Sequence, residues 1–342
     1  MIVRPFCRGS VSRCFAEPLE RRCLLSSSIQ VMQGTLHITD TDATSKTLFI
    51  SQLDAKEGGA KVYFDVNGDG DNTDPGELNG VRMTASRFDI KLSGGQNTVT
   101  VSSGGIIRNA DLRYRISTNG TKDAITFVVG DDDRTLENTH VSLDIRTGAG
   151  ASRVSIRPSF MSHSQMDVHF AGGSGNTNLA LLSLSHGGSV NFDGTLGNGT
   201  NSALFRFFSP SGNGYNVAAN EKINIALRGG AGDDSMAFSL SGALPQATIA
   251  GTVNVAFMGG GGNNNLSFGP GEITMAGGRL NLLEVGGRGH NTFAVSGSIT
   301  VDSTGGSVLV VLHGDRNRDQ FTTDVKDQSG GMVWSRVAIL GS

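Results

Sequence analysis

The chain has 342 residues, 37% of them hydrophobic, with 49 glycines and a formal net charge of −3 at pH 7. This length allows a large buried core, whereas the near-neutral charge excludes the basic stripe of a nucleic-acid-binding surface. No run of about 18 apolar residues occurs, and no helical spacing of apolar residues persists over three turns, so neither a transmembrane helix nor a helical domain is expected.

Residues 1–28 are the basic part of the chain, with arginines at positions 4, 8, 13, 21 and 22. They lack the apolar core of about 7 or more residues that an ordinary signal peptide has. Cys7, Cys14 and Cys23 lie here with no histidine nearby, which does not match the usual spacing of zinc ligands. The rest of the chain has no cysteine and needs no disulfides, which is compatible with export.

Within this segment, residues 17–26 read EPLERRCLLS. They resemble the EPLExRxLLS leader found near the start of many large planctomycete surface and secreted proteins. The resemblance implies export or attachment at the cell surface; a disordered basic tail is the alternative. We therefore expect a targeting leader at 1–28 and a single domain at 29–342.

Residues 34–52 predict a first pair of strands. Leu36 and Ile38 alternate with polar residues before a polar corner, and Leu48 and Ile50 alternate after it. A period of two places one set of side chains inward and the other outward.

Residues 61–77, KVYFDVNGDGDNTDPGE, interrupt this pattern with a cluster of acidic side chains. Oxygen donors at alternate positions around a bending glycine are the opening of an EF-hand-like calcium loop. The closing acid of such a loop stands at position 12, where this chain has Gly76, and here it follows one residue later as Glu77. The predicted Ca²⁺ ligands are Asp65, Asn67, Asp69, Asp71, Asp74 and Glu77.

The acidic loop is similar to the D-x-N-x-D-G-D-x-x-D-x-G-E loop of many bacterial surface proteins, in which the longer spacing recurs. A solvated acidic turn, punctuated by Pro75 and Gly76, is the alternative. No helices are predicted beside the loop, so the opening movement of an EF-hand switch is not expected. We expect the loop to be an insert in the domain, at about 54–85.

From residue 86 onward, short apolar strands run into glycine corners and out again. The last corners are 30, 27 and 28 residues apart, at Gly229, Gly259, Gly286 and Gly314. Earlier corners continue the series at Gly94, Gly120, Gly148, Gly172 and Gly197. Because a fixed period in this range is typical of stacked repeats, the chain predicts an all-β parallel β-helix, or β-solenoid, of roughly ten turns. A β-sandwich or an antiparallel β array is the alternative, since hairpins also use Gly-Asn turns.

The corner at 229–237 matches the nonapeptide G-G-x-G-x-D-x-U-x at every specified place. This motif is that of the RTX, or haemolysin-type, calcium-binding proteins, and the resemblance implies Asp234 as a further calcium ligand. The other corners depart from it, because Asn264, Asn291 and Thr177 stand at the Asp position and about 19 residues separate the units. Asn side chains stacked at one place form amide ladders in other β structures, so a structural ladder and a calcium site both remain open.

No H-E-x-x-H, P-loop, G-x-S-x-G or dinucleotide-binding fingerprint occurs. We expect a non-catalytic exported or cell-surface β-solenoid with a structural or adhesive role and structural calcium. Its expected partner is an envelope, matrix or polysaccharide surface rather than nucleic acid. The alternative is a polysaccharide-acting lyase or glycosidase, since such enzymes often use parallel β-helices. Carboxylates, or carboxylates with Arg or Lys, on one face of neighbouring turns would favour that alternative.

Overall fold

The computed structural model describes residues 27–53, 59–74, 77–103, 105–129, 136–158, 161–183, 187–208, 215–240, 246–315, 318–327 and 334–341. Across these ranges the secondary structure is β-strand without helix, and no helix suited to crossing a membrane is found in them. The leader predicted at 1–28 falls outside the described residues, apart from its last two positions.

The strands are numbered in chain order. The N-terminal half contains β1 (Ser27–Met32), β2 (Thr35–Asp40), β3 (Lys46–Gln52), β4 (Ala60–Asp65), β5 (Leu78–Met83), β6 (Arg87–Ser93), β7 (Asn97–Ser103), β8 (Ile107–Arg108), β9 (Asp111–Asn119), β10 (Lys122–Val129), β11 (Leu136–Glu137), β12 (His140–Thr147), β13 (Ala151–Pro158) and β14 (Met161–Ser162). The C-terminal half contains β15 (Ser164–Ala171), β16 (Thr177–Ser183), β17 (Gly188–Thr195), β18 (Asn201–Phe207), β19 (Tyr215–Val217), β20 (Lys222–Arg228), β21 (Asp234–Leu240), β22 (Gln246–Ile249), β23 (Thr252–Met258), β24 (Asn265–Met275), β25 (Arg279–Val285), β26 (Thr292–Val301), β27 (Ser307–Gly314), β28 (Gln320–Asp327) and β29 (Trp334–Gly341).

These strands form three sheets that run along the molecule. The front sheet has 12 strands, in the order β1-β2-β6-β9-β12-β15-β17-β20-β23-β25-β27-β29. The back sheet has 14 strands, with the path β19-β22-β24-β21-β18-β16-β13-β10-β7-β3-β4-β5, and β26 pairs with β24 and β28. The side sheet has 3 strands, in the order β14-β11-β8.

Successive turns pair in parallel. In the front sheet β2 pairs in parallel with β6, and the parallel series continues to β29. In the back sheet β3 pairs in parallel with β7, and the series continues to β28. The fold is therefore the predicted parallel β-solenoid and not the β-sandwich alternative. It has about eight turns with parallel neighbours on both sides, so the prediction of roughly ten is reached only by counting the rungs at the two ends.

The N-terminal end of the solenoid is antiparallel. β1 pairs antiparallel with β2, and β4 pairs antiparallel with both β3 and β5. The insert predicted at about 54–85 therefore extends the back sheet by two strands. These strands cover the edge of β3, which would otherwise expose unpaired backbone N–H and C=O groups.

The core lies between the front and back sheets, because side chains alternate between the interior and the surface. Val190 and Phe192 are 0% and 2% exposed, whereas Asn191 between them faces outward. Aromatic rings also stack between turns, as Phe238 does on Phe268 with ring centroids 5.2 Å apart. The first pair of strands follows the prediction, with four fully buried residues, Leu36, Ile38, Leu48 and Ile50.

Candidate metal centre and outer groove

The candidate metal centre is the acidic loop that joins β4 to β5. β4 ends at Asp65, which is 4% exposed because the preceding Val62 and Phe64 anchor the strand in the core. Ligand atoms of Asp65, Asp69 and Glu77 all lie within 4.8 Å of one another. The structure thus brings three of the predicted calcium ligands together.

Asp65 organises the loop by accepting backbone hydrogen bonds. Its Oδ1 accepts from the N–H groups of Asn67 and Gly68, at 3.2 and 2.5 Å, and its Oδ2 accepts from Gly70 at 3.0 Å. Gly68 and Gly70 have φ angles of 74° and 97°, a left-handed conformation that glycine adopts without strain. The chain therefore wraps around the carboxylate of Asp65.

Glu77 closes the loop from the other side. Its Oε1 accepts from the N–H of Val66 at 3.2 Å, and its Oε2 accepts from the N–H of Asp74 at 3.0 Å. Glu77 thus occupies the closing position although it comes one residue later than in the usual loop. Pro75 and Gly76 lie outside the described residues.

The remaining predicted loop ligands divide into two groups. Asn67 donates from Nδ2 to Asp69 at 3.1 Å and to Asp74 at 2.7 Å, so Asn67 and Asp74 border the carboxylate group. Asp71 instead accepts hydrogen bonds from the backbone N–H and the hydroxyl of Thr73, both at 2.9 Å. Asp71 therefore stabilises the turn that follows.

The donors of the acidic loop suit a hard cation. Carboxylates of Asp65, Asp69 and Glu77 supply oxygen ligands, and Nδ2 of Asn67 links Asp69 to the further carboxylate of Asp74. Ca²⁺ takes 6–8 oxygens in flexible geometry, whereas Mg²⁺ requires a near-ideal octahedron. Because Asp69 is exposed and Glu77 half-buried, water has access to complete the coordination. The residues present fit Ca²⁺.

A second polar feature, the corner ladder, lies inside the solenoid where the back strands begin. The strand register aligns one buried side chain from each turn in a column: Lys46, Asn97, Asp123, Ser152, Thr177, Asn201, Asp234, Asn264, Asn291 and Asp319. Amide Nδ2 groups donate to the next turn, from Asn201 to Asp234 at 2.7 Å and from Asn264 to Asn291 at 2.9 Å. Asn291 donates in turn to Asp319 at 3.1 Å. The column is thus a hydrogen-bonded ladder.

Asp234, which the RTX-like corner predicts as a calcium ligand, is a member of the corner ladder. Its Oδ2 accepts from the N–H of Gly230 at 2.9 Å, and its own N–H donates to Asn264 at 3.1 Å. Burial raises the pKa of Asp234, and hydrogen bonds from Asn201 and Gly230 oppose this rise. Within the described ranges the one group of three metal-ligating side chains is that of the acidic loop, and Asp234 is not part of it. A calcium role for Asp234 stays a prediction.

A third feature, the groove ladder, lies on the outer surface of the front sheet. Asn191, Asn224, Asn254 and Asn281 are in register on β17, β20, β23 and β25, and all are half-buried. Each of the last three donates from Nδ2 to the Oδ1 of the asparagine one turn earlier, at 2.7, 2.7 and 2.8 Å. Asn191 donates to Oδ1 of Asp167 at 2.7 Å. The ladder therefore ends on a carboxylate.

A groove of about 750 Å³ runs beside the groove ladder. It extends from β12 to β27, about 30 Å at the usual strand spacing. Ala226 and Ala256, each two residues beyond a ladder asparagine, form the floor at its centre. Leu283, Leu309 and Val311 line one end, and charged side chains line the other.

At the charged end, His140 bridges two carboxylates. Its Nδ1 lies 3.2 Å from Oδ1 of Asp111, and its Nε2 lies 2.7 Å from Oδ2 of Asp167. A hydrogen bond from Arg113 lowers the pKa of Asp111. Partial burial raises the pKa of Asp167, but hydrogen bonds from its neighbours, including Asn191, leave it lower than usual. Both carboxylates are therefore held in the ionised form.

Further charges extend this end of the groove. Asp144 lies 3.3 Å from Nε of Arg115 and 3.2 Å from Nε of Arg146. His169 lies 3.6 Å from Asp193, and both are exposed. Asp144 is thus paired with two arginines at this end of the groove.

The sequence-based predictions missed the groove ladder. Its signal is an asparagine between two apolar residues in four successive units, at 190–192, 223–225, 253–255 and 280–282. The pattern matters only when those strands are in register on an outward face, which the structure shows.

Comparison of the chain with protein-family models, curated proteins and solved structures finds no match. What the protein does is therefore inferred from the geometry of its own loop, ladders and groove.

Proposed function

We propose that the protein is a non-catalytic, exported or cell-surface β-solenoid with a structural or adhesive role, and that the acidic loop binds one structural Ca²⁺. The observation that carries the proposal is the convergence of the carboxylates of Asp65, Asp69 and Glu77 within 4.8 Å. Carboxylates this close repel one another unless a cation lies between them.

The position of the acidic loop explains what the ion would stabilise. The loop joins β4 to β5, the two antiparallel strands that cover one edge of the back sheet. An ion held by Asp65 at the end of β4 and by Glu77 just before β5 would tie both strands together. Calcium-binding modules outside cells often have dissociation constants of about 10⁻⁴–10⁻³ M, in keeping with the calcium available there.

The export part of the proposal rests on sequence. The segment 17–26 resembles a planctomycete surface-protein leader, and no cysteine follows Cys23. Cell fractionation tests it directly: the protein is expected outside the cytoplasm, and finding the full-length chain only in the cytosol would overturn this part.

Calorimetric titration of the full chain with CaCl₂ tests the metal centre. We expect a binding heat and a rise in melting temperature, since an ion at 100 times its dissociation constant stabilises the fold by about 2.7 kcal/mol. Asp69→Asn and Glu77→Gln should each weaken binding at least about tenfold, because each removes a charged ligand. Asp302→Asn is the matched control, since Asp302 accepts a similar turn hydrogen bond from Thr304 far along the chain.

The absence of both the heat and the stabilisation would refute the calcium centre. So would an Asp302→Asn variant that loses as much affinity as Asp69→Asn.

Action on a polysaccharide is the second candidate function. It is favoured by Asp144, Asp167 and Asp193, which lie on three successive strands of the front sheet, β12, β15 and β17. Glycoside hydrolysis needs one carboxylic acid whose pKa is raised so that it donates a proton. The pKa of Asp167 is lowered instead, so Asp167 does not suit the role of that acid. Release of new reducing ends from a polysaccharide by the purified protein would favour the enzyme.

A further inference from the structure

The asparagines of the groove ladder form a row on the outer face of the front sheet, where their hydrogen bonds to one another help to hold the turns in register. Inside the solenoid, amides satisfy buried partners. On the front sheet the asparagines of the groove ladder are half-buried, and water reaches them. The polar groups that the ladder does not use are therefore open to a ligand.

The groove ladder leaves hydrogen-bonding groups free on every turn. An asparagine carboxamide has two N–H donors and an oxygen with two lone pairs. In Asn224 and Asn254 the ladder occupies one donor and one lone pair. Each of these side chains thus presents a donor and an acceptor side by side, repeated at the strand spacing of about 4.8 Å.

The ladder also has a direction. Every amide donates toward Asp167, whose other oxygen contacts His140. Hydrogen bonds in a chain polarise one another. The carboxylate at one end thereby holds all the asparagines in the same orientation, and the free groups face the groove in a fixed pattern.

The chemistry of the groove selects one class of occupant. A peptide strand adds to a sheet at its edge, through free backbone groups, whereas this face has its backbone groups paired within the sheet. The centre of the groove carries no charge, since Ala226 and Ala256 form its floor, and at its charged end Asp144 is paired with Arg115 and Arg146. The hydroxyl groups of a sugar chain both donate and accept hydrogen bonds, which suits the adjacent donors and acceptors of the carboxamides. The C–H groups of the same chain would pack against the alanine floor and Leu283.

We propose that the groove binds an extended, uncharged polysaccharide, lying along the solenoid axis with hydroxyl groups on the carboxamides of the groove ladder. This inference rests on the adhesive role proposed above and names its partner class.

Native gel electrophoresis of the full chain through gels that contain hydroxyethyl cellulose, galactomannan, dextran or polygalacturonate tests the proposal. We expect at least one of the three neutral polymers to retard the protein, with little effect of added salt, because uncharged contacts are not screened. Ala256→Ile should weaken that binding at least tenfold, since the larger side chain fills the floor and leaves the ladder intact. Ala237→Ile is the matched control, because Ala237 faces outward on β21 of the back sheet.

A second variant separates binding from folding. Asn254→Ala breaks the middle of the groove ladder and should also weaken retardation at least tenfold, with circular dichroism and melting temperature checking that the fold persists. Both Ala256→Ile and Ala237→Ile place a β-branched residue in a strand, which favours β structure, so loss of binding by the first alone is not a folding effect.

Three results would overturn the proposal: no retardation by any neutral polymer, retardation by polygalacturonate alone, or equal retardation of parent and Ala256→Ile. The calcium titration is read separately. If the protein binds calcium in the titration but is not retarded by a polysaccharide, only the groove proposal is refuted. If it is retarded by a polysaccharide but shows no heat of calcium binding, only the metal centre is refuted.

Discussion

The corner ladder and the groove ladder use similar side chains in different surroundings. Both place polar groups from successive turns in register along the solenoid. The corner ladder is buried and mixed in composition, with Lys46 at its N-terminal end and amides, hydroxyls and carboxylates after it. The groove ladder is open to water and is made of four asparagines in a row.

Burial accounts for the difference. A buried polar group that loses its partner costs about 1–3 kcal/mol, whereas water replaces a lost partner at the surface. The corner ladder is therefore under a structural requirement at every turn. The groove ladder is free of that requirement, and its uniformity is what we attribute to a ligand.

The order of residues in the corner ladder supports this view. Asp123, Asp234 and Asp319 are never in adjacent turns, because neutral members separate them. Carboxylates in adjacent turns would stand about 4.8 Å apart and would need an ion. At the N-terminal end of the ladder, buried Lys46 lies 3.3 Å from Asp40, which neutralises the charge of Lys46.

The largest pH-dependent effect is expected at Glu284, which is as deeply buried as the corner ladder but lacks its partners. Glu284 is 0% exposed, and neither carboxylate oxygen has a hydrogen bond among the described residues. Burial raises its pKa from 4.5 to about 9. Protonated Glu284 favours the folded state, so this stabilisation is complete below about pH 4.5 and is lost, at about 1.4 kcal/mol per unit, as the pH rises toward 9.

Glu284→Leu should remove that pH dependence and stabilise the protein by about 3 kcal/mol at pH 7. Urea unfolding of parent and variant at several pH values between 5 and 9 measures the free energy of unfolding and its pH dependence. Glu272→Leu, at an exposed position of β24, is the control and should leave the profile unchanged. A Glu284→Leu profile parallel to that of the parent would show that Glu284 has partners in solution.

The direct comparison of the ladders replaces one asparagine by aspartate in each. Asn264→Asp places a buried carboxylate beside Asp234 and should cost about 3–5 kcal/mol at pH 7. Asn254→Asp makes the same change in the groove ladder and should cost less than about 1 kcal/mol. Urea unfolding at pH 7 measures both, and equal losses would contradict the assignment of different roles.

A smaller effect is expected where corners stack on one another. A Cβ on Gly260 would lie 1.8 Å from the carbonyl oxygen of Gly230 in the previous turn, whereas a Cβ on Gly269 would meet nothing within 4 Å. Gly260→Ala should destabilise the fold by about 1–3 kcal/mol through overpacking, and Gly269→Ala by less than about 0.5 kcal/mol. Thermal unfolding distinguishes them; similar melting temperatures would mean that the corners do not stack this closely.

The smallest effect on stability is expected in the groove. Ala256→Ile lies on the surface and should change the free energy of unfolding by less than about 0.5 kcal/mol. A large loss in chemical unfolding would show that this face is part of the structural framework and would weaken the binding proposal.

Local pattern was enough to predict much of the fold and part of the candidate site. Alternation at Leu36 to Ile50 and the repeated glycine corners correctly predicted inward faces and parallel stacking. The spacing of Asp65, Asp69 and Glu77 predicted side chains that the loop does bring together. Each of these features depends on residues close in sequence, or on a period that repeats, and both are visible without a structure.

The RTX-like corner shows where local pattern failed to decide. The motif around Asp234 is complete, but its partners are set by the turns on either side, Asn201 and Asn264. Those turns lie 33 and 30 residues away, at unequal spacing. Register between turns, and not the motif, determines whether a carboxylate contacts another carboxylate or an amide.

By itself the sequence determined an all-β chain, the position of its corners and an acidic loop with carboxylates at alternate positions. The physical reason is that strand alternation and turn geometry are local. Only the tertiary structure decided that the insert extends the back sheet, that Glu284 faces the core, and that four asparagines from separate turns form one ladder beside a groove. Those outcomes depend on stacking register, which the summed packing of all the turns sets.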